Sequence, residues 1–137
     1  MEQKQPTLHD IIYAAGLFDG EGCVTSTTAS KGNRSLRVSL ASTCLDLVEF
    51  MELNFGGKVY KRIDRRSIKA QHQWHIGGAK AVEFLKLIFP YMREVTKRAR
   101  AEVAITQIGP LIGYDPRYGF DITKRKRAGY EALMAIK

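Results

Sequence analysis

The chain has 137 residues, 45% of them hydrophobic and 26% charged, with a formal net charge of +8 at pH 7. That length is one domain, able to bury about two-thirds of the surface that its unfolded form exposes. The excess of cations points to a polyanionic partner, nucleic acid before any other. No apolar run approaches the ~18 residues of a membrane span, and the start MEQKQPTLHD carries no apolar core of a signal peptide. The sequence thus reads as carrying no targeting signal and needing no membrane.

Thr7 or Asp10 can cap a first helix running through about Phe18, with Leu8, Ile11, Ile12, Ala15 and Leu17 apolar. Its end lies in the stretch Ala14 to Gly22, AAGLFDGEG. Gly16 and Gly20 stand at helical spacing on one face. Each sacrifices about 1 kcal/mol of helix propensity relative to Ala. What they provide is a side without Cβ atoms, where another backbone can approach closely. Asp19 and Glu21 follow at the negative pole of the helix, where Lys or Arg would be the stabilising choice. Carboxylates in that position call for a cation from outside, and a divalent metal suits them.

Cys23 to Ala29 is rich in Thr and Val and reads as a strand. Ser30 to Arg34 is turn chemistry. Leu36 to Leu40 alternates with period two, one face apolar and the other carrying Arg37 and Ser39. Thr43 and Asp46 form a capping-box-like entry to a second helix, Leu45 to Phe55, which Gly56 and Gly57 end. The pattern then repeats: strand Lys58 to Ile63, basic loop Asp64 to Lys69, strand Ala70 to Ile76, helix Ala79 to Tyr91 and helix Thr96 to Ile108. This order describes an α+β domain with one antiparallel sheet over residues 1–108. Residues 109–137 read as a Gly/Pro-rich linker, through Phe120, and a basic helix starting near Lys124 to Arg127, packed on the same domain.

Cys23 and Cys44 have apolar neighbours and read as buried free thiols of a reducing compartment. They lack CxxC spacing, and His72 and His75 point to opposite faces of a strand, so a zinc site is rejected.

Positive charge clusters at Lys58, Lys61, Arg62, Arg65, Arg66 and Lys69, at Lys31, Arg34 and Arg37, and around Arg93, Lys97, Arg98 and Arg100. Any one such run suits a solvated face. Together they fall at hairpin tips and on the polar faces of strands. Val59, Ile63, Trp74 and Ile76 are assigned to the core, and alternation turns Lys58, Tyr60, Arg62, Gln73 and His75 outward. An open face with Thr25, Thr27, Arg37, Tyr60, Arg62, Gln73 and His75 is chemically equipped for base edges: Arg reads guanine, Gln reads adenine, Thr is adaptable. A sheet would then lie in the major groove.

The nonapeptide AAGLFDGEG resembles the namesake motif of the LAGLIDADG homing endonucleases, and the order of elements resembles theirs from about Ile11 to Ile108. Smaller likenesses are FGGKVYKR, WHIGG, KAVEFL and PYM before a basic stretch. The resemblance implies an αββαββα saddle whose sheet straddles double-stranded DNA, with C-terminal helices beside it. One motif per chain implies a homodimer, with Ala15, Gly16, Asp19 and Gly20 at its interface and Asp19 serving the turn rather than a metal. It implies that Glu21 aligns with the essential acid, more often Asp, holding Mg²⁺ together with the Gly20 carbonyl. Mn²⁺ or Ca²⁺ would fit the same site, and no small-molecule cofactor is implied. Lys97 resembles the basic active-site residue, with Arg93 and Arg98 as alternatives, because the segment after Pro90 is about two residues longer. Ser42 stands near where some members carry Gln. The implied activity is cleavage of both strands at a long near-palindromic site. A non-catalytic DNA-binding dimer and an RNA maturase remain as alternatives.

Overall fold

The computed structural model describes residues 3–28, 34–62, 70–113 and 120–137, without the side chains of Arg62, Phe120 and Asp121. Helix α1 (Leu8–Glu21) starts at a reciprocal cap. Thr7 Oγ1 accepts the Asp10 N–H at 3.1 Å, and the Asp10 carboxylate accepts the Thr7 N–H at 2.9 Å. That N–H, with Lys4 next, holds the Asp10 carboxyl below its ordinary value. The helix runs to Glu21, a turn beyond the expected end, and the Gly22 N–H closes it on Phe18 O. Its inward stripe is Ala14, Ala15 and Phe18, all fully buried. The apolar Leu8 and Ile12 lie outside that stripe and are 56% and 44% exposed.

Strand β1 (Gly22–Thr28) pairs with β2 (Arg34–Ser42) in an antiparallel hairpin. Helix α2 (Leu45–Phe55) starts at Leu45 as expected, which makes Cys44 the cap position and leaves Thr43 one residue too early to cap it. The cap residue is Cys44, without a side-chain bond, and Ser42 Oγ accepts the Cys44 N–H at 3.0 Å. Gly57 follows α2 with φ +88°, and a Cβ there would meet the His75 carbonyl at 2.5 Å. The glycine pair brings the backbone close enough for Trp74 Nε1 to donate to Gly56 O at 2.7 Å. Strands β3 (Lys58–Arg62) and β4 (Gln71–Gly77) complete one antiparallel sheet of order β1-β2-β4-β3.

Helix α3 (Gly78–Ile88) gives way to a 3₁₀ turn at Phe89–Tyr91, where Pro90 lacks the N–H that a longer helix would use. In α4 (Val95–Val103) the Glu94 carboxylate caps the start by accepting the Lys97 N–H at 2.6 Å, which lowers the pKa of that carboxyl. A π-helical turn (Ala104–Ile108) and a 3₁₀ turn (Gly109–Leu111) follow. Helix α5 (Phe120–Ala135) begins before Lys124 and buries Tyr130 and Leu133.

Alternation gives the sheet two unlike faces. Val24, Leu36, Val38, Leu40, Trp74 and Ile76 are buried on the helix side. There Phe84 of α3 meets Phe55, Trp74 and Phe18 edge-on, with ring centroids 4.9, 5.2 and 5.6 Å away. Cys23 and Cys44 are exposed, which corrects the expectation of buried thiols. Cys23 has the parity of the open face, and Cys44 sits at a surface helix start. The edge strand β1 is covered by Arg100, which donates from Nη1 to Val24 O at 3.3 Å. Its Nη2 and Nε hold Ile136 O at 2.6 and 3.2 Å, tying the C-terminal segment to that edge.

Candidate nucleic-acid interface and catalytic centre

Three elements converge at the end of α1. The Asp19 carboxylate accepts the backbone N–H groups of Arg93 and Glu94 at 2.9 and 3.2 Å, anchoring the segment before α4. Lys97, one turn into α4, returns to donate from Nζ to the Asp19 carbonyl at 2.7 Å. An ammonium is thereby held at the negative pole of α1, where the last carbonyls lack helical donors. Of the three cations considered for this place, the structure brings Lys97. Arg98 lies over the Phe89 ring, 4.4 Å from its centroid, and the Arg93 side chain is exposed.

Glu21 is the last residue of α1, exposed, and its carboxylate makes no hydrogen bond or ion pair with any described residue. Its neighbour Gly20 is also exposed, and its carbonyl belongs to the terminal turn. Beside them, Gly22, Cys23, Val24, Glu94, Thr96, Lys97 and Arg100 line a hollow of about 350 Å³. Ser42 lies at the same end of the sheet, two residues past the Gly22–Leu40 pair. Its parity is that of Leu40, toward the helices, and its hydroxyl is engaged by the Cys44 N–H.

The register orders the open face into rows. Cys23, Ser39, His75 and Lys58 form one row; Thr25, Arg37 and Gly77 the next; Thr27 and Ser35 lie nearest the β1–β2 tip. In the other direction, Ala41, Gln73 and Tyr60 are followed by Gln71 and Arg62. Tyr60 is 45% exposed and stacks on His75 with centroids 4.7 Å apart and planes at 16°. Burial of the imidazole, then the charges of Arg37 and Lys58, push the His75 pKa below its ordinary 6.5. Thr25 Oγ1 also reaches Met134 Sδ of α5, at 3.9 Å. Arg34 departs from this pattern: its parity is opposite to that of Arg37, and it lines a hollow with Lys126 on the helix side. Lys31, Ile63, Arg65, Arg66 and the loop around them lie outside the described residues.

The remaining face of α1 displays Leu8, Ile12, Gly16 and Gly20, each four residues from the next. A Cβ at Gly16 or Gly20 would meet nothing within 4 Å. Ala15, placed at an interface by the sequence reading, is fully buried in the chain's own core, so it has no surface left for a partner. Glu94 and Arg100 shape the site without having stood out in the sequence. The signal for Glu94 was present, an acid three residues before Lys97, whereas Arg100 was indistinguishable from its charged neighbours.

No protein-family model matches the sequence, and no curated protein matches it. Solved structures do. The homing endonuclease I-CvuI, in complex with its target in the presence of Ca, superposes with a TM-score of 0.77 at 19% identity, over 96% of this chain and 85% of that one. The I-SmaMI LAGLIDADG homing endonuclease bound to cleaved DNA gives 0.67 at 16%, over 94% of this chain and 44% of that one. The archaeal intron-encoded homing endonuclease I-Vdi141I, complexed with DNA, gives 0.63 at 12%, over 94% and 84%. A four-stranded antiparallel sheet backed by helices, with α1 ending beside β1, is in this chain the fold of the LAGLIDADG homing endonucleases.

Proposed function

We propose that this protein is a site-specific DNA endonuclease that acts as a homodimer, hydrolysing both strands of a long near-palindromic duplex with a divalent metal. The observation that carries the reading is Glu21: an exposed carboxylate at the negative end of α1, with no partner among the described residues, two positions after the Asp19 carbonyl that holds the Lys97 ammonium. A carboxylate at that pole costs an isolated helix stability and suits one that receives a cation.

The donor set is consistent with Mg²⁺, with Mn²⁺ or Ca²⁺ as substitutes. The Glu21 carboxylate and the Gly20 carbonyl would hold the ion, both hard oxygen ligands. Among the described residues no group of three or more His, Cys, Asp or Glu is assembled to hold a metal. Further ligands would therefore be water, phosphate oxygens or the carboxylate of a second chain. When bound, the metal supplies Lewis acidity and a more acidic water. The chain's own residues position the substrate. Lys97 keeps further N–H donors for a phosphate oxygen or a water while Asp19 O holds the first. Asp19 fixes α4 against α1, so the ammonium does not wander. The rows of the open face would lay Arg37, Ser39, Gln73, His75, Tyr60 and Lys58 along the groove.

Pairing is supported by the Leu8–Ile12–Gly16–Gly20 stripe, which is apolar, exposed and bare of Cβ atoms where two helices would cross. It is also supported by length: this chain spans 44% of I-SmaMI, so two copies would match one of that protein. The test is incubation with the uninterrupted host sequence around the gene's insertion point, with and without Mg²⁺. Cleavage only with the metal is the expected result. Binding without cleavage would favour a regulator, and binding of intron RNA alone a maturase.

A further inference from the structure

We propose that the basic start of α5 is a second docking surface for duplex DNA, in which Lys124, Arg125 and Arg127 grip the phosphodiester backbone beyond the tip end of the β1–β2 hairpin. This rests on the DNA-binding reading above but concerns residues that the sheet does not use.

The placement follows from what α5 touches along its length. Lys126 shares a hollow of about 170 Å³ with Arg34 and Ser35, the first residues of β2. Tyr130 lies against the backbone of Leu36. Met134 reaches Thr25, and Ile136 is tied through Arg100 to Val24. The helix thus runs along the flank of the hairpin, with its C-terminal end toward the catalytic end of β1 and its basic end toward the tip. The row of the open face at that tip is Thr27 and Ser35, which carries no charge.

Orientation separates the charges. Ile122, Lys126, Tyr130 and Leu133 form the inward stripe, so Lys126 emerges beside Arg34 at the end of the buried face. Lys124, Arg125 and Arg127 are exposed, and none of them makes an ion pair with a described residue. Four consecutive cations repel one another, and like charges at helical spacing cost the helix stability. For Lys124, Arg125 and Arg127 no ion pair with a described residue offsets this. A line of phosphates passing the hairpin tip would, and duplex DNA laid along the sheet continues in that direction. Phosphate binding there carries position and salt dependence rather than sequence.

The experiment compares three proteins on a long mixed-sequence duplex by salt titration of affinity: wild type, Lys124→Gln/Arg125→Gln/Arg127→Gln, and Lys80→Gln/Lys86→Gln on the exposed side of α3. The triple variant should match or slightly exceed the wild-type melting temperature, since its side chains are exposed and their mutual repulsion is relieved. Its binding should weaken roughly tenfold at physiological salt, and the slope of log K against log salt should flatten by about 0.9 for each phosphate no longer neutralised. The α3 variant should match wild type. An equal weakening per charge in the α3 variant would overturn the proposal, showing only net charge at work. An unchanged triple variant, alongside an Arg37→Gln control that weakens binding, would overturn it while leaving the DNA-binding function intact. Failure of wild type to bind duplex at all would remove both, and a weakening confined to structured RNA would overturn it in favour of an RNA partner.

Discussion

Lys97 Nζ lies 2.7 Å from the carbonyl oxygen of Asp19, while the Asp19 carboxylate holds the backbone just ahead of α4. One residue therefore fixes the position of the cation and of the helix that carries it. Lys97→Ala should abolish cleavage while leaving the DNA dissociation constant within a few fold and the melting temperature nearly unchanged. Asp19→Ala should act differently. Losing two hydrogen bonds to a charged acceptor costs about 1–3 kcal/mol, so both stability and turnover should fall. Denaturation and single-turnover cleavage on the same preparations separate the two.

Gly16 offers a clean test of pairing, because a side chain there meets nothing within the chain. Gly16→Leu should raise helix propensity by up to about 1 kcal/mol and should not destabilise the monomer. It should nevertheless convert a dimer into a monomer and eliminate double-strand cleavage. Sedimentation velocity with and without duplex reads the outcome directly.

The aromatic hub predicts a large core effect. Phe84 is 2% exposed and packs against Phe18, Phe55 and Trp74. Phe84→Ala should cost about 3–5 kcal/mol, visible as a lower urea midpoint. DNA affinity measured well below the transition should be preserved, since the hub lies on the face away from the open rows.

Acid sensitivity should come in two stages. The imidazole of His75 has a folded pKa below 6.5, through burial and the charges of Arg37 and Lys58. Between that folded value and 6.5 the unfolded chain binds more protons, so stability rises with pH and is lost as pH falls below 6.5. The lowered carboxyls of Asp10 and Glu94, from 3.8 and 4.5, act below this range: their contribution is present above 4.5 and disappears as pH falls through their folded values. His75→Gln should flatten the pH dependence of the urea midpoint just below 6.5 and leave the lower stage in place.

Much of the architecture could be read from the residues, because period-two alternation in Leu36–Leu40 and the glycine pairs Gly56–Gly57 and Gly77–Gly78 are strong local signals. The faces of the sheet followed from that parity. The exposure of Leu8 and Ile12 on α1 was not legible, since apolar spacing says which residues share a face and not whether that face is covered by this chain or left open. The start of α2 at Leu45 makes Cys44 rather than Thr43 the cap residue, and the Cys44 N–H in turn commits the Ser42 hydroxyl. The hydrogen bond from Lys97 to Asp19 joins positions 78 residues apart, and no local pattern encodes it. Exposure of Cys23 and Cys44 was likewise settled by parity and cap position rather than by apolar neighbours.

Under the proposed function, Glu21 serves metal-dependent hydrolysis rather than folding or DNA affinity. The most direct measurement is cleavage of the cognate duplex by wild type and Glu21→Gln in Mg²⁺, with binding measured alongside. Retained affinity with neither strand cut is the predicted result. Cleavage by Glu21→Gln at the wild-type rate would contradict it.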